Sequence, residues 1–151
     1  MSAGPGQRRG TRPVDSAGAA TGAPRLVLRL EGLAIAAAAL LAYRHMDAGW
    51  GMFAALLLAP DLSLLAYLAG PRAGAVFYNA AHSYLLPALL AGTGLALGRE
   101  RPVAVALIWI AHVGIDRALG YGLKYPGGFG LTHLGRIGKA QADGDQKPSP
   151  D

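Results

Sequence analysis

The sequence has no cysteine. That excludes a disulfide framework, a thiolate metal site and a cysteine nucleophile. Charge is scarce too. Asp, Glu, Lys and Arg make up 15% of the 151 residues, against roughly 25% in soluble domains. There is no HExxH, no Walker phosphate loop and no GxSxG string, so the common hydrolase and nucleotide-binding signatures are missing. What is plentiful is apolar: 52% of the chain, gathered into long blocks that a soluble core does not need. The length allows one domain at most.

A net charge of +5 raises nucleic acid as a partner. The basic residues, however, sit in the tails and short loops, where membrane proteins keep them. The composition therefore points to a lipid bilayer, not nucleic acid. Met1 to about Pro24 is Gly, Ala, Pro, Ser and Arg without an apolar run, and 140–151 is polar. Both read as disordered tails, the first of them basic, around a transmembrane domain at 25–139.

A bilayer core about 30 Å thick needs about 20 apolar residues as a helix. Four segments qualify: about Leu26 to Tyr43, Gly49 to Ala69, Gly74 to Leu97 and Pro102 to Gly120. The intervening RHMDAG, GPRA and GRERP are short and suit antiparallel hairpins. The first segment is Ala-rich and also fits a surface helix. The expected fold is an all-α, antiparallel transmembrane four-helix bundle. Of the 14 Lys and Arg residues, eleven fall on the side bearing both termini and three (Arg44, Arg99, Arg101) on the other. That asymmetry predicts cytoplasmic termini. The expected location is the cell membrane, multi-pass. The Gly- and aromatic-rich stretch 120–138 reads as a headgroup-level segment, helical as far as Pro126 at most.

The informative residues interrupt the apolar blocks: Glu31, Asp61, Asn79, His82, His112, Asp116 and Arg117. A charge at mid-membrane costs about 2.5–3.5 kcal/mol on insertion scales, so several in one small bundle call for pairing, water or an ion. With a rise of 1.5 Å per residue, Asp61, His82 and His112 lie roughly 12–14 Å above the cytoplasmic ends of their segments. Glu31 and Asp116 lie one layer shallower. His112 and Asp116, four apart, share a helical face. Pro60 removes a backbone donor just before Asp61. Such residues support three chemistries: a structural ion-pair network, a divalent metal such as zinc or manganese, or a proton relay.

The strings PDLSLLAYLAG, GAVFYNAAHSYLLP and LIWIAHVGIDRALGYGLKY, with GFGLTHLG following, resemble the small bacterial membrane-protein family catalogued as domain of unknown function 4260. The resemblance covers about Leu30 to Lys139, with matching polar positions Asp61, Ser63, Asn79, His82, His112, Asp116 and Arg117. It implies a bacterial inner-membrane fold and no particular activity. A looser similarity is to a four-helix inner-membrane family described as metal-dependent hydrolases, which also carries PD, a lone His and an HxxxD pair. This chain has NAAHSY where that family has HRGxTH. The first functional reading is an uncharacterised membrane protein with a His/carboxylate cluster. A second is a metal-dependent hydrolase of a lipid-linked or phosphorylated substrate. There Asp61, His82, His112 and Asp116 hold the metal, Glu31 is the general base, and Ser63, Asn79 and Arg117 bind substrate. A third is a small proton-coupled transporter, working as a homo-oligomer because four helices enclose little pathway.

Overall fold

A computed structural model describes residues 19–127 and 129–137. The expected tails lie outside the described residues, except that helix α1 (Gly22–Tyr43) begins inside the stretch expected as the first tail. After α1 come α2 (Trp50–Leu56), a 3₁₀ segment (Ala59–Ala69), α3 (Pro71–Ala81), α4 (Leu85–Ala96) and α5 (Glu100–Leu119). Two short antiparallel strands, β1 (Leu131–Thr132) and β2 (Gly135–Arg136), close the described chain. Three helical stretches are long and apolar enough to cross a membrane: Gly22–Tyr43, Trp50–Ala69 and Glu100–Leu119.

Two prolines break the helical runs, and both breaks follow one rule. A proline removes its own N–H and its ring collides with the carbonyl four residues earlier. Pro60 therefore ends α2 at Leu56, and the chain continues in the tighter 3₁₀ form, with the Asp61 N–H donating to the Leu58 carbonyl at 3.1 Å. Pro87 likewise forbids helix through Ser83. The segment expected as one span from Gly74 to Leu97 is thus two helices, of 11 and 12 residues, with the chain turning at His82. At 1.5 Å per residue neither half reaches across a 30 Å core alone.

Small residues set the packing. Along α1 the buried positions are Gly32, Ala36, Ala39 and Tyr43, one stripe at helical spacing. The stripe lies on α5. A methyl group built on Gly32 would come 2.9 Å from the Gly114 carbonyl oxygen, and one on Gly114 would come 2.7 Å from the Gly32 carbonyl oxygen. Backbones this close are the usual way helices associate in lipid, where apolar side chains gain nothing by leaving the solvent. Gly74 seats the Tyr67 ring and Gly94 seats Val103, joining α3 to the 3₁₀ segment and α4 to α5. Leucines cover the outside: Leu62, Leu65, Leu68, Leu85, Leu89 and Leu95 are all more than 60% exposed.

The stretch after α5 is not helical. Gly120, at φ +98°, caps α5, with the Tyr121 N–H donating to the Asp116 carbonyl. The chain then runs as an extended arm in which Lys124 pairs with Thr132. Leu134 in the turn between β1 and β2 is fully buried, and the Ala20 N–H donates to the His133 carbonyl at 2.8 Å. This small β-structured cap covers one end of the helices. The helix expected as far as Pro126 is absent because 123–125 pair with 131–133 as extended chain, and beyond it Gly135 turns with φ +114°.

Candidate metal centre

Four side chains from three parts of the chain converge. Asp61 comes from the 3₁₀ segment, His82 from the end of α3, and His112 and Asp116 from successive turns of α5. One ligand atom from each lies within 4.8 Å of every other. His82 Nε2 is 3.2 Å from His112 Nε2, 3.3 Å from Asp61 Oδ1 and 3.4 Å from Asp116 Oδ2. His112 Nε2 is 3.6 Å from Asp61 Oδ1 and 3.7 Å from Asp116 Oδ2. Both imidazoles are buried, while the side chain of Asp61 is 39% exposed.

Local structure explains the convergence. His112 and Asp116 are one turn apart on the face of α5 that looks inward. Asp61 follows Pro60, whose break re-aims the chain. His82 is the C-cap of α3, with φ −106° and ψ 17°, outside the regular helix. Its Nδ1 lies 3.0 Å from the Tyr78 carbonyl oxygen. A carbonyl only accepts, so Nδ1 carries the proton, and the Nε2 of the neutral ring presents a lone pair to the centre. The Tyr78 ring stacks on the His82 ring at 3.7 Å between centroids, and the Tyr78 hydroxyl donates to Asp116 Oδ2 at 3.5 Å.

The remaining candidate residues fall elsewhere. Glu31 is exposed on α1 and is not one of the four. Its neighbour Gly32 faces α5, and one residue is about 100° of helical turn, which carries Glu31 off that face. Ser63 lines an apolar groove, with its Oγ buried and unpartnered. Asn79 is a clamp: its Oδ1 accepts from the Lys124 N–H at 2.7 Å and its Nδ2 donates to the Lys124 carbonyl at 2.9 Å. Arg117 lies over the Tyr84 ring and 3.4 Å from His133 Nε2, outside the four-residue group.

Two features beside the centre carry no strong sequence signal. A cavity of about 300 Å³ is lined by Asp61, Asp116, Tyr78, Lys124 and Phe129. Lys124 is buried, with its ammonium 3.6 Å from the centroid of the Phe129 ring and donating to the Phe129 carbonyl at 3.1 Å. Burial pulls the ammonium below its ordinary value, and Asp116 pushes back. A groove of about 320 Å³ is lined by Leu56, Pro60, Ala81, Val105 and Trp109, whose indole N–H donates to the Ala81 carbonyl. Lys124 lies twelve residues before Arg136 in a loop-like sequence; the pairing of Asn79 with its backbone and the β-bridge to Thr132 bring it to the site.

No curated protein and no solved structure matches the chain. A family model does match, across residues 25–137, which hold all four residues of the centre. The chain belongs to the family described as Domain of unknown function (DUF4260).

Proposed function

We propose that Asp61, His82, His112 and Asp116 hold one divalent metal ion, zinc by preference, inside a multi-pass membrane protein. One observation carries the reading. Five of the six separations among these atoms run from 3.2 to 3.7 Å, and the sixth, between the two carboxylate oxygens, is within 4.8 Å. A regular tetrahedron with metal–ligand bonds of about 2.0–2.1 Å has edges of roughly 3.3–3.4 Å. Imidazole nitrogen with carboxylate oxygen is a zinc or manganese donor set. The proton on His82 Nδ1 supports it further, because the neutral ring then aims a lone pair at two carboxylate oxygens and a second imidazole nitrogen. Two carboxylate oxygens and the His82 lone pair meet there beside His112 Nε2, and a cation among them would offset the crowding of acceptors.

A metal here would supply Lewis acidity to a group in the cavity that Asp61 and Asp116 border. That favours the reading of a metal-dependent hydrolase. In this arrangement Lys124 would hold an anionic group of the substrate and the Tyr78 hydroxyl would steady Asp116. The bent α3–α4 pair would serve as the fourth crossing of an antiparallel bundle with cytoplasmic termini. A proton relay is the second reading, favoured by the 3.2 Å contact between the two imidazole nitrogens, which one proton could bridge.

Elemental analysis of detergent-purified protein by plasma mass spectrometry separates the two. Near-stoichiometric zinc or manganese is expected in the wild type and none in a His82→Ala/His112→Ala variant. Wild-type protein that stays metal-free after dialysis against micromolar zinc overturns the metal reading and leaves the relay.

A further inference from the structure

Two unlike spaces border the four-residue centre, and each of the three elements that hold the centre lines both. On α5, Val105 and Trp109 line the apolar groove, His112 and Asp116 belong to the centre, and Asp116 continues into the polar cavity. On the chain around Pro60, Leu56, Pro60 and Ser63 line the groove, while Asp61 belongs to the centre and, with Leu64, lines the cavity. On α3, Tyr78 lines the cavity, Ala81 the groove, and His82 at its end belongs to the centre. Trp109 and Asp116 are seven residues apart, about 10 Å along the helix axis.

The polar cavity holds one buried ammonium, Lys124, that makes no salt bridge among the described residues. Its hydrogen bond to the Phe129 carbonyl leaves donors to spare. Its backbone is fixed on both sides by Asn79, so the ammonium is positioned rather than free to leave. A fixed cation beside a dication favours a ligand carrying more than one negative charge, as a phosphoryl group does. The groove beyond the centre has Leu56, Pro60, Val105 and Trp109 in its wall and suits hydrocarbon.

We propose that the ligand of this site is an amphiphilic phosphate ester. Its phosphoryl group lies in the cavity against Lys124, and its hydrocarbon chain lies in the groove along Val105 and Trp109. This rests on the metal reading above, and it names a lipid phosphate in place of a soluble one.

The test uses the full chain, zinc-loaded in maltoside micelles, titrated by calorimetry with octyl phosphate and with inorganic phosphate, and zinc is measured in the same samples. Octyl phosphate is expected to bind at least tenfold more tightly than inorganic phosphate. Lys124→Gln and Lys124→Met should each weaken octyl phosphate about tenfold at unchanged zinc content. Gln keeps a donor for the Phe129 carbonyl and Met keeps the shape, so one failing to fold does not spoil the other. Val105→Phe, which fills the groove, should weaken octyl phosphate and leave inorganic phosphate alone. Equal affinity for the two phosphates, or Lys124 variants that bind like wild type, overturns the proposal while the zinc reading stands. Wild-type protein without zinc overturns the metal reading itself.

Discussion

Asp61→Asn should raise the stability of the metal-free protein and abolish its response to zinc. Asp61 Oδ1 and Asp116 Oδ2 lie no more than 4.8 Å apart. Two full negative charges at that distance repel by about 3.5 kcal/mol at an effective dielectric constant of roughly 20. The Asp61 side chain is 39% exposed, so water lowers the repulsion to about 1–2 kcal/mol. Asn is nearly isosteric and removes one of the two charges. Metal-free Asp61→Asn protein should therefore melt several degrees above metal-free wild type. Zinc at about 100 times its Kd should stabilise wild type by about 2.7 kcal/mol, a shift on the order of 10 °C, and should move the variant little. The assay is thermal unfolding in detergent, with chelator or with zinc. The ion-pair alternative carries the opposite sign: there Asp61 stabilises His82, so Asn lowers the midpoint and zinc moves neither protein. That result would refute the argument from facing acceptors.

Three other perturbations have signed outcomes. Asn79→Ala leaves the buried Lys124 N–H and carbonyl without their side-chain partners and should cost about 2–4 kcal/mol, seen as early amide exchange and proteolysis in 121–137 ahead of the helices. Gly114→Ala places a methyl 2.7 Å from the Gly32 carbonyl oxygen and should destabilise the α1–α5 pair by about 1–3 kcal/mol; Gly92→Ala, which meets nothing within 4 Å, is the matched control for thermal unfolding. His133 is held below its ordinary 6.5 by burial and then by Arg117, so the unfolded chain takes up its proton first as pH falls. Stability from this residue is present above pH 6.5 and is lost as pH falls below it. The Leu123 N–H, which donates to His133 Nδ1 at 2.8 Å, should lose protection from exchange on acidification, and His133→Asn should remove that dependence.

The sequence carried the site more clearly than the fold around it, and the reason is physical. Asp and His residues within apolar blocks are costly in a membrane, so they stand out, and a constant rise per residue put Asp61, His82 and His112 at similar expected depths. Glu31 passed the same depth test and failed on azimuth, which depth does not report. The break at 82–84 was also written in the chain, as Pro87, but a hydropathy window averages over a proline and joins α3 to α4. Lys124 was not legible at all: its place depends on a β-bridge to Thr132 and on Asn79, contacts between residues 8 and 45 positions apart. The two prolines link these observations. His82 still donates its backbone N–H to the Tyr78 carbonyl at 2.8 Å, but its φ and ψ leave the helical range there, and Asp61 sits in 3₁₀ rather than α-helical spacing. Each break frees one residue from helical register just where it meets the regular His112–Asp116 face of α5. A rigid helix thus supplies two of the donors and two proline-set turns supply the others, an arrangement that fixes five short distances without requiring a long motif in the sequence.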